Sequence, residues 1–353
     1  MEDITNLYEE AKKLFEEKKY TLAIKIYIKL YSADMNKWDW WRYAKSLKQV
    51  GQLNEAITIA SSYYNKDKSF KYMNDTLAWS LYELYFKKLK DNYDYVQINK
   101  LYEIAVFICS ITNQENFSPN HKTVIKMLKI LKNNGNKIDN KVLKLLEKVD
   151  VNKLSDEPGK HEDEHGMREY QSEKEMYYSY KTKALYDIES YDRCIDCCNE
   201  ALSSIKVFHH DIDYWITERK EKSKGELGQI EPAINELNNL LKRKKRWKIF
   251  EDIAELYLKL DDKDKALLYF AESAICEGNY KMKVIMLYNM IILMQSLCYK
   301  EIALLQANFV RNIRNKEGWD CKQINNFIDS RVCKDCNIEK EVVRSWYDIV
   351  YSS

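Results

Sequence analysis

An alanine returns every 33 residues in two separate parts of this chain, from Ala23 to Ala56 and again from Ala233 to Ala266. Around each, the neighbouring residues recur too. Val50-Gly51-Gln52-Leu53-Asn54-Glu55-Ala56-Ile57 is echoed by Leu227-Gly228-Gln229-Ile230-Glu231-Pro232-Ala233-Ile234, and Tyr20-Thr21-Leu22-Ala23-Ile24 by Tyr191-Asp192-Arg193-Cys194-Ile195. A fixed period of this length means that one supersecondary unit is stacked on copies of itself, each burying a face that it cannot bury alone. Between the repeated anchors, apolar residues fall at intervals of three, four and seven. Leu7, Ala11 and Leu14 precede Tyr20, Ala23, Tyr27 and Leu30, and Tyr43, Ala44 and Leu47 precede Leu53, Ala56, Ala60 and Tyr63. This spacing places one apolar stripe on each of two helices separated by a polar turn.

Composition agrees with an all-α chain. Eight glycines and three prolines in 353 residues are far below the roughly 12% of ordinary proteins, which excludes turn-rich all-β and collagen-like chains. An apolar fraction of 45% with 27 tyrosines exceeds what a disordered chain carries. Lysine and arginine (57) nearly cancel aspartate and glutamate (55), a net charge of +2, so no global field selects a nucleic acid or membrane partner. The amino terminus lacks the basic and apolar regions of a secretory signal. The longest apolar-rich stretch, 284–297, is interrupted by Tyr288, Asn289 and Gln295 and is too short to span a bilayer. Nine scattered cysteines suit reduced thiols. A cytoplasmic protein without membrane contact is expected.

A small residue near the end of the first helix, a glycine or polar turn, then an alanine early in the second helix resembles the tetratricopeptide repeat. Units beginning near Ile4, Lys37, Glu175, Tyr214 and Trp247 carry the pattern well, and 74–112 and 284–313 carry it loosely. The resemblance implies a right-handed superhelical array of six or seven hairpins, and a protein or peptide held in its groove. The helix bearing Val342, Val343, Trp346, Ile349 and Val350 is expected to cap the array. Three features, the 177–186 tyrosine-rich run, Trp215 with the basic run beyond it, and the close at Glu317-Gly318-Trp319, are similar to bacterial repeat proteins. Those often carry a cold-shock-type domain after the Gly-Trp and occur in conflict or phage-defence gene sets. Only about 34 residues follow Trp319, too few for such a five-stranded barrel. The expected layout is an array at 1–150 that includes two Lys-rich helices (119–131 and 139–149), an exposed charged linker at 151–172, a second array at 173–318 and a cap at 319–353.

In this fold the first helix of each pair lines the groove. Those slots hold Tyr8 and Lys12, then Trp38, Trp41, Arg42 and Lys45, then Tyr180 and Lys183, and then Trp215, Arg219 and Lys222; the next unit changes sign with Glu251, Asp252 and Glu255. An aromatic and basic groove suits an extended peptide with acidic or carboxylate groups, or a single-stranded nucleic acid. The densest cation run, Lys242, Arg243, Lys244, Lys245, Arg246 and Lys248 around Trp247, reads as a phosphate patch or as a solvated turn at a helix end.

Catalytic signals are poor, and no enzyme, cofactor or metal is expected. His161-Glu162-Asp163-Glu164-His165 spells the zinc-protease motif, but that motif needs a helix with an apolar back. Here acids separate the histidines and Gly159 and Gly166 flank them, so the run reads as linker. Cys333 and Cys336 with Cys321 give three thiols where a structural zinc site needs four ligands. Cys194, Cys197 and Cys198 are expected in the core. His209 and His210 lie between helices without a located nucleophile or carboxylate.

Overall fold

The computed structural model describes residues 4–31, 35–88, 93–115, 117–133, 140–163, 166–328 and 338–351. It is an all-α protein with one small β-hairpin among the described residues, and it divides into two compact units. The first comprises 1–189 with 207–210, the second 190–206 with 211–353.

The first unit opens with α1 (Ile4–Glu16), α2 (Tyr20–Leu30), α3 (Lys37–Gln49), α4 (Leu53–Lys66), α5 (Lys71–Tyr85) and α6 (Tyr95–Ile111), packed as successive antiparallel pairs. The first helices α1, α3 and α5 also touch one another in series. Next come the Lys-rich helices α7 (Pro119–Asn133) and α8 (Asn140–Leu146), where the sequence places them, and α9 (Glu173–Asp187). In the second unit α10 (Tyr191–Ser204) packs on α11 (Ile212–Glu226). The pairs α11 and α12 (Ile230–Arg243), α13 (Trp247–Lys259) and α14 (Lys263–Ile275), and α15 (Tyr280–Ser296) and α16 (Lys300–Lys316) follow. The chain continues through α17 (Lys322–Asn325) to α18 (Ile338–Tyr351).

One backbone device repeats through both units. Lys18, Gly51, Gly228, Asp261 and Cys298 all have φ between +56° and +86° and reverse the chain between a first and a second helix. Only Gly51 and Gly228 adopt this left-handed turn without a Cβ penalty. Five positions beyond each turn stands Ala23, Ala56, Ala233, Ala266 or Ala303, every one fully buried. A small side chain there lets the paired helices approach closely. Cys194, Cys197 and Cys198 are core residues, as expected. The carboxy-terminal helix is a cap: α18 lies on α14 and α16, and Val342 and Trp346 enter their core. Lys283 is also fully buried, and its ammonium donates to the closing carbonyls of α14 at Ser273 (3.0 Å) and Ala274 (3.1 Å).

Close approach also sets Gly225 on α11. A Cβ built there would lie 2.3 Å from Cδ2 of Leu256 on α13, and Leu256 is itself buried. Overpacking of this kind costs about 1–3 kcal/mol, against about 1 kcal/mol gained in helix propensity. Gly225→Ala is therefore expected to lower the thermal midpoint of the second unit; a raised midpoint would mean that Leu256 moves aside freely.

Residues 151–172 contain a 3-10 turn (Val151–Lys153) and an antiparallel hairpin of β1 (Pro158–Asp163) and β2 (Gly166–Ser172), with His161 opposite Arg168. This hairpin and α9 group with the first unit. The hairpin is mostly exposed, so its sequence lacks the alternation that announces a strand. Its ends are tied instead. Ser172 caps α9 by accepting from the Glu175 amide at 3.2 Å, Lys174 pairs with Asp156 at 2.9 Å, and His210 Nε2 lies 2.7 Å from the Glu169 carbonyl. His161 is thus in a strand and not on the helix a zinc-protease motif requires; His165 lies outside the described residues, as do Cys333 and Cys336. Cys321 directs its thiol to Asn315 Oδ1.

Candidate functional site

On the first-helix face of the first unit, α3 supplies an aromatic group with two parts. Trp41 is enclosed by the rings of Phe15 (5.3 Å), Tyr72 (5.5 Å) and Trp38 (6.0 Å), and its indole N–H donates to Thr76 Oγ1 at 3.1 Å. Arg42 turns to Asp39, 3.1 Å away, whose carboxylate is only 3% exposed. Burial raises the Asp39 pKa, and Arg42 offsets part of that rise. Lys45 is half-buried, and burial followed by Lys48 lowers its pKa. Trp41 therefore ties α3 to α1 and α5, while Arg42 is engaged within α3. Trp38 and Tyr72 form the exposed part, 38% and 55% accessible, with ring centroids 5.1 Å apart over Phe70. Tyr8 is half-buried, and Lys12 reaches Glu9 at 3.8 Å.

Beside this aromatic group lies a cavity of about 500 Å³, a size usual for ligand sites. The start of α5 and the loop leading into α7 enclose it, through Lys68, Lys71, Asn74, Asp75, Trp79 and Glu115 among others. The loop is well fixed. The Gln114 carboxamide both accepts from and donates to the Asp150 backbone (2.7 and 3.0 Å), and Ser118 Oγ receives the amides of Glu115 and His121. Sequence reading missed Tyr72, Asp75 and Trp79 because the third unit offered no clear register. The signal was Ala78, fully buried and 34 positions beyond the equally buried Ala44; it sets Tyr72, Asp75 and Trp79 in the slots of Trp38, Trp41 and Lys45.

The remaining groove candidates are distributed along α9 and the second unit. Tyr180 is half-buried, and burial pushes its pKa to about 12; Lys183 pairs with Asp187 at 2.9 Å. In the second unit Trp215 packs on Tyr214 (5.5 Å) and lies under the Arg246 guanidinium (5.0 Å). Arg219 is half-buried. Lys222 sits 2.8 Å from Asp252 and 3.6 Å from Glu218. Burial first, then the Asp252 charge, pushes the Glu218 pKa up to about 7. Because that value exceeds the ordinary carboxylate one, Glu218 withdraws stability as pH rises from about 4.5 toward 7. Glu251 and Asp252 are buried and Glu255 half-buried beside it.

Four of the six cations in the basic run pair with acids. Arg243 pairs with Asp213 (2.6 Å), Lys244 and Arg246 with Asp211 (Lys244 at 2.7 Å), and Lys248 with Glu251 (2.6 Å) and Asp252 (3.5 Å). The Lys244 ammonium above all holds the Asp211 carboxyl below its usual range. Lys242 donates to Asn239 Oδ1, and Lys245 is exposed on a second cavity of about 450 Å³.

No protein-family model matches the chain, and no curated protein matches it. Three solved structures are similar to it. A tetratricopeptide repeat protein from Parabacteroides merdae is 11% identical over 80% of this chain and 96% of its own, with a TM-score of 0.34. The C-terminal part of a TPR repeat-containing protein from Cytophaga hutchinsonii is 14% identical over 81% and 95%, with a TM-score of 0.30. The structure of Naa15/Naa10 bound to HypK-THB is 13% identical over 99% of this chain and 54% of its own, with a TM-score of 0.33. No helix among the described residues is long and apolar enough to cross a membrane. The repeated left-handed turn and the small residue five positions beyond it carry the fold by themselves, and in them the chain resembles the tetratricopeptide-repeat proteins.

Proposed function

We propose that this protein is a non-catalytic interaction scaffold that holds a protein partner against the first-helix face of its first unit. The observation that carries the reading is the exposed Trp38–Tyr72 pair beside the 500 Å³ cavity. Large rigid aromatics at the edge of a concavity are the side chains that dominate binding energy. Trp41, Arg42 and Lys45 act behind them as support. On the sequence resemblance, the partner is a toxic or nuclease effector of bacterial phage defence that this chain regulates in the cytoplasm. Tyr8, Lys12, Tyr180 and Lys183 extend the proposed contact surface of the first unit, and Trp215, Arg219 and Lys222 are proposed as contacts of the second unit taken by itself.

The test is a partner recovered by cross-linking from source cells, purified, and titrated against variants. Trp38→Ala with Tyr72→Ala is expected to weaken binding by about 2 kcal/mol or more with the helical circular dichroism signal intact. Lys129→Glu with Lys144→Glu, on exposed positions of α7 and α8, is expected to leave it unchanged. The reverse result would move the site to the Lys-rich helices and favour the alternative reading, an RNA or single-stranded nucleic acid. Co-purification of an effector other than a nuclease or toxin would remove the defence assignment.

A further inference from the structure

We propose that the first-unit cavity receives a mixed-charge segment of the partner, an arginine side chain beside an acidic residue. The inference rests on the scaffold reading and adds the chemistry that the partner must carry.

Four charges line this cavity: Lys68, Lys71, Asp75 and Glu115. All four are exposed, and among the described residues none of them has an ion-pair partner, whereas Glu83 farther along α5 is matched by Lys48. A cavity wall with two unmatched cations and two unmatched anions is complementary to a ligand that carries both signs. Asn74 is 7% exposed; its amide nitrogen donates to the Lys68 carbonyl at 2.9 Å, which fixes the carboxamide with its Oδ1 buried beneath the surface. Asp75 and Glu115 are the acceptors on the wall, whereas a guanidinium offers five N–H donors in one plane. Trp79 and Phe117 lie in the same wall, and the Lys122 ammonium, 5.3 Å from Trp79 and 5.6 Å from Phe117, shows that these rings attract cations.

The charge balance at Asp75 agrees. Burial raises its pKa first and the Glu115 charge raises it further, while Lys45 and Lys71 pull it down only in part. An arriving guanidinium supplies the missing positive charge. Lys68 and Lys71 remain for the acidic neighbour.

Selection from a random peptide library on the full chain tests this. Enriched peptides are expected to carry arginine next to aspartate or glutamate. Replacing that arginine with citrulline, which is neutral and of nearly the same shape, should weaken binding to the wild type about tenfold or more. On Asp75→Asn with Glu115→Gln, the two peptides should bind alike. Enriched peptides that lack a basic residue, or a citrulline peptide that binds the wild type equally well, would overturn the inference. If such peptides still depend on Trp38 and Tyr72, the scaffold reading survives that failure. If no peptide is enriched, both fall.

Discussion

Trp346→Ala is expected to cost about 3–5 kcal/mol, with the loss confined to the end of the second unit. The indole is fully buried in the core formed by α14, α15, α16 and α18. Its ring packs 5.9 Å from both Tyr280 and Phe309, and its N–H donates to Gln306 Oε1 at 2.7 Å. Gln306 is itself fully buried and donates its amide to the Leu287 carbonyl on α15. Truncation therefore does two things. It opens a cavity at the cap, and it leaves a buried carbonyl oxygen of Gln306 without a donor, a penalty of about 1–3 kcal/mol by itself. Trp346→Phe keeps most of the packing and loses the hydrogen bond, so it should fall between the wild type and Trp346→Ala. Because each hairpin is stabilised by its neighbours, urea unfolding followed by hydrogen exchange should show α16 and α18 opening early while α3 and α4 stay protected. An unchanged midpoint would mean that α18 is an ornament and not a cap.

The parts that sequence reading found are those written within a few residues of each other. The turn at Gly51 or Gly228, the alanine five positions on and the apolar stripes are local patterns, and the structure realises each of them. The parts it missed depend on residues far apart. Arg243 and Arg246 look free in a run of cations, yet their partners Asp213 and Asp211 stand 30 and 35 positions away. The β-hairpin at 158–172 has no buried face to impose a period of two, so it reads as linker. The third hairpin is hidden for another reason. Its helices are Lys71–Tyr85 and Tyr95–Ile111, and no left-handed glycine marks the turn between them. Its contribution to the site, Tyr72, Asp75 and Trp79, went unread with it.

Arg42→Glu is expected to destabilise the first unit by about 3–5 kcal/mol, and this decides how the binding face must be tested. Helical spacing puts Arg42 beside Trp41, which suggests a cation offered to a partner. Its guanidinium is instead committed to Asp39, whose other carboxylate oxygen receives the Asn36 amide at 2.5 Å while Asn36 caps the start of α3. A buried carboxylate that loses its counterion keeps the full cost of desolvation, and a glutamate at position 42 adds a like charge one helical turn away. The pH dependence identifies the cause. Asp39 already titrates above its ordinary value because of burial, and without Arg42 it should titrate higher still. The folded variant then binds more protons than the unfolded chain, so its stability should recover as pH falls from 7 toward 5, where the wild type gains less. Asp39→Asn with Arg42→Met removes both charges and should restore most of the loss at neutral pH, because a neutral pair in a buried site carries no uncompensated charge. If Arg42→Glu were instead as stable as the wild type, Arg42 would be free to meet a partner, and the supporting role assigned to it would be wrong. With the destabilisation in place, weaker binding by an Arg42 variant reports a damaged α3, and Trp38 and Tyr72 remain the positions whose loss reads binding alone.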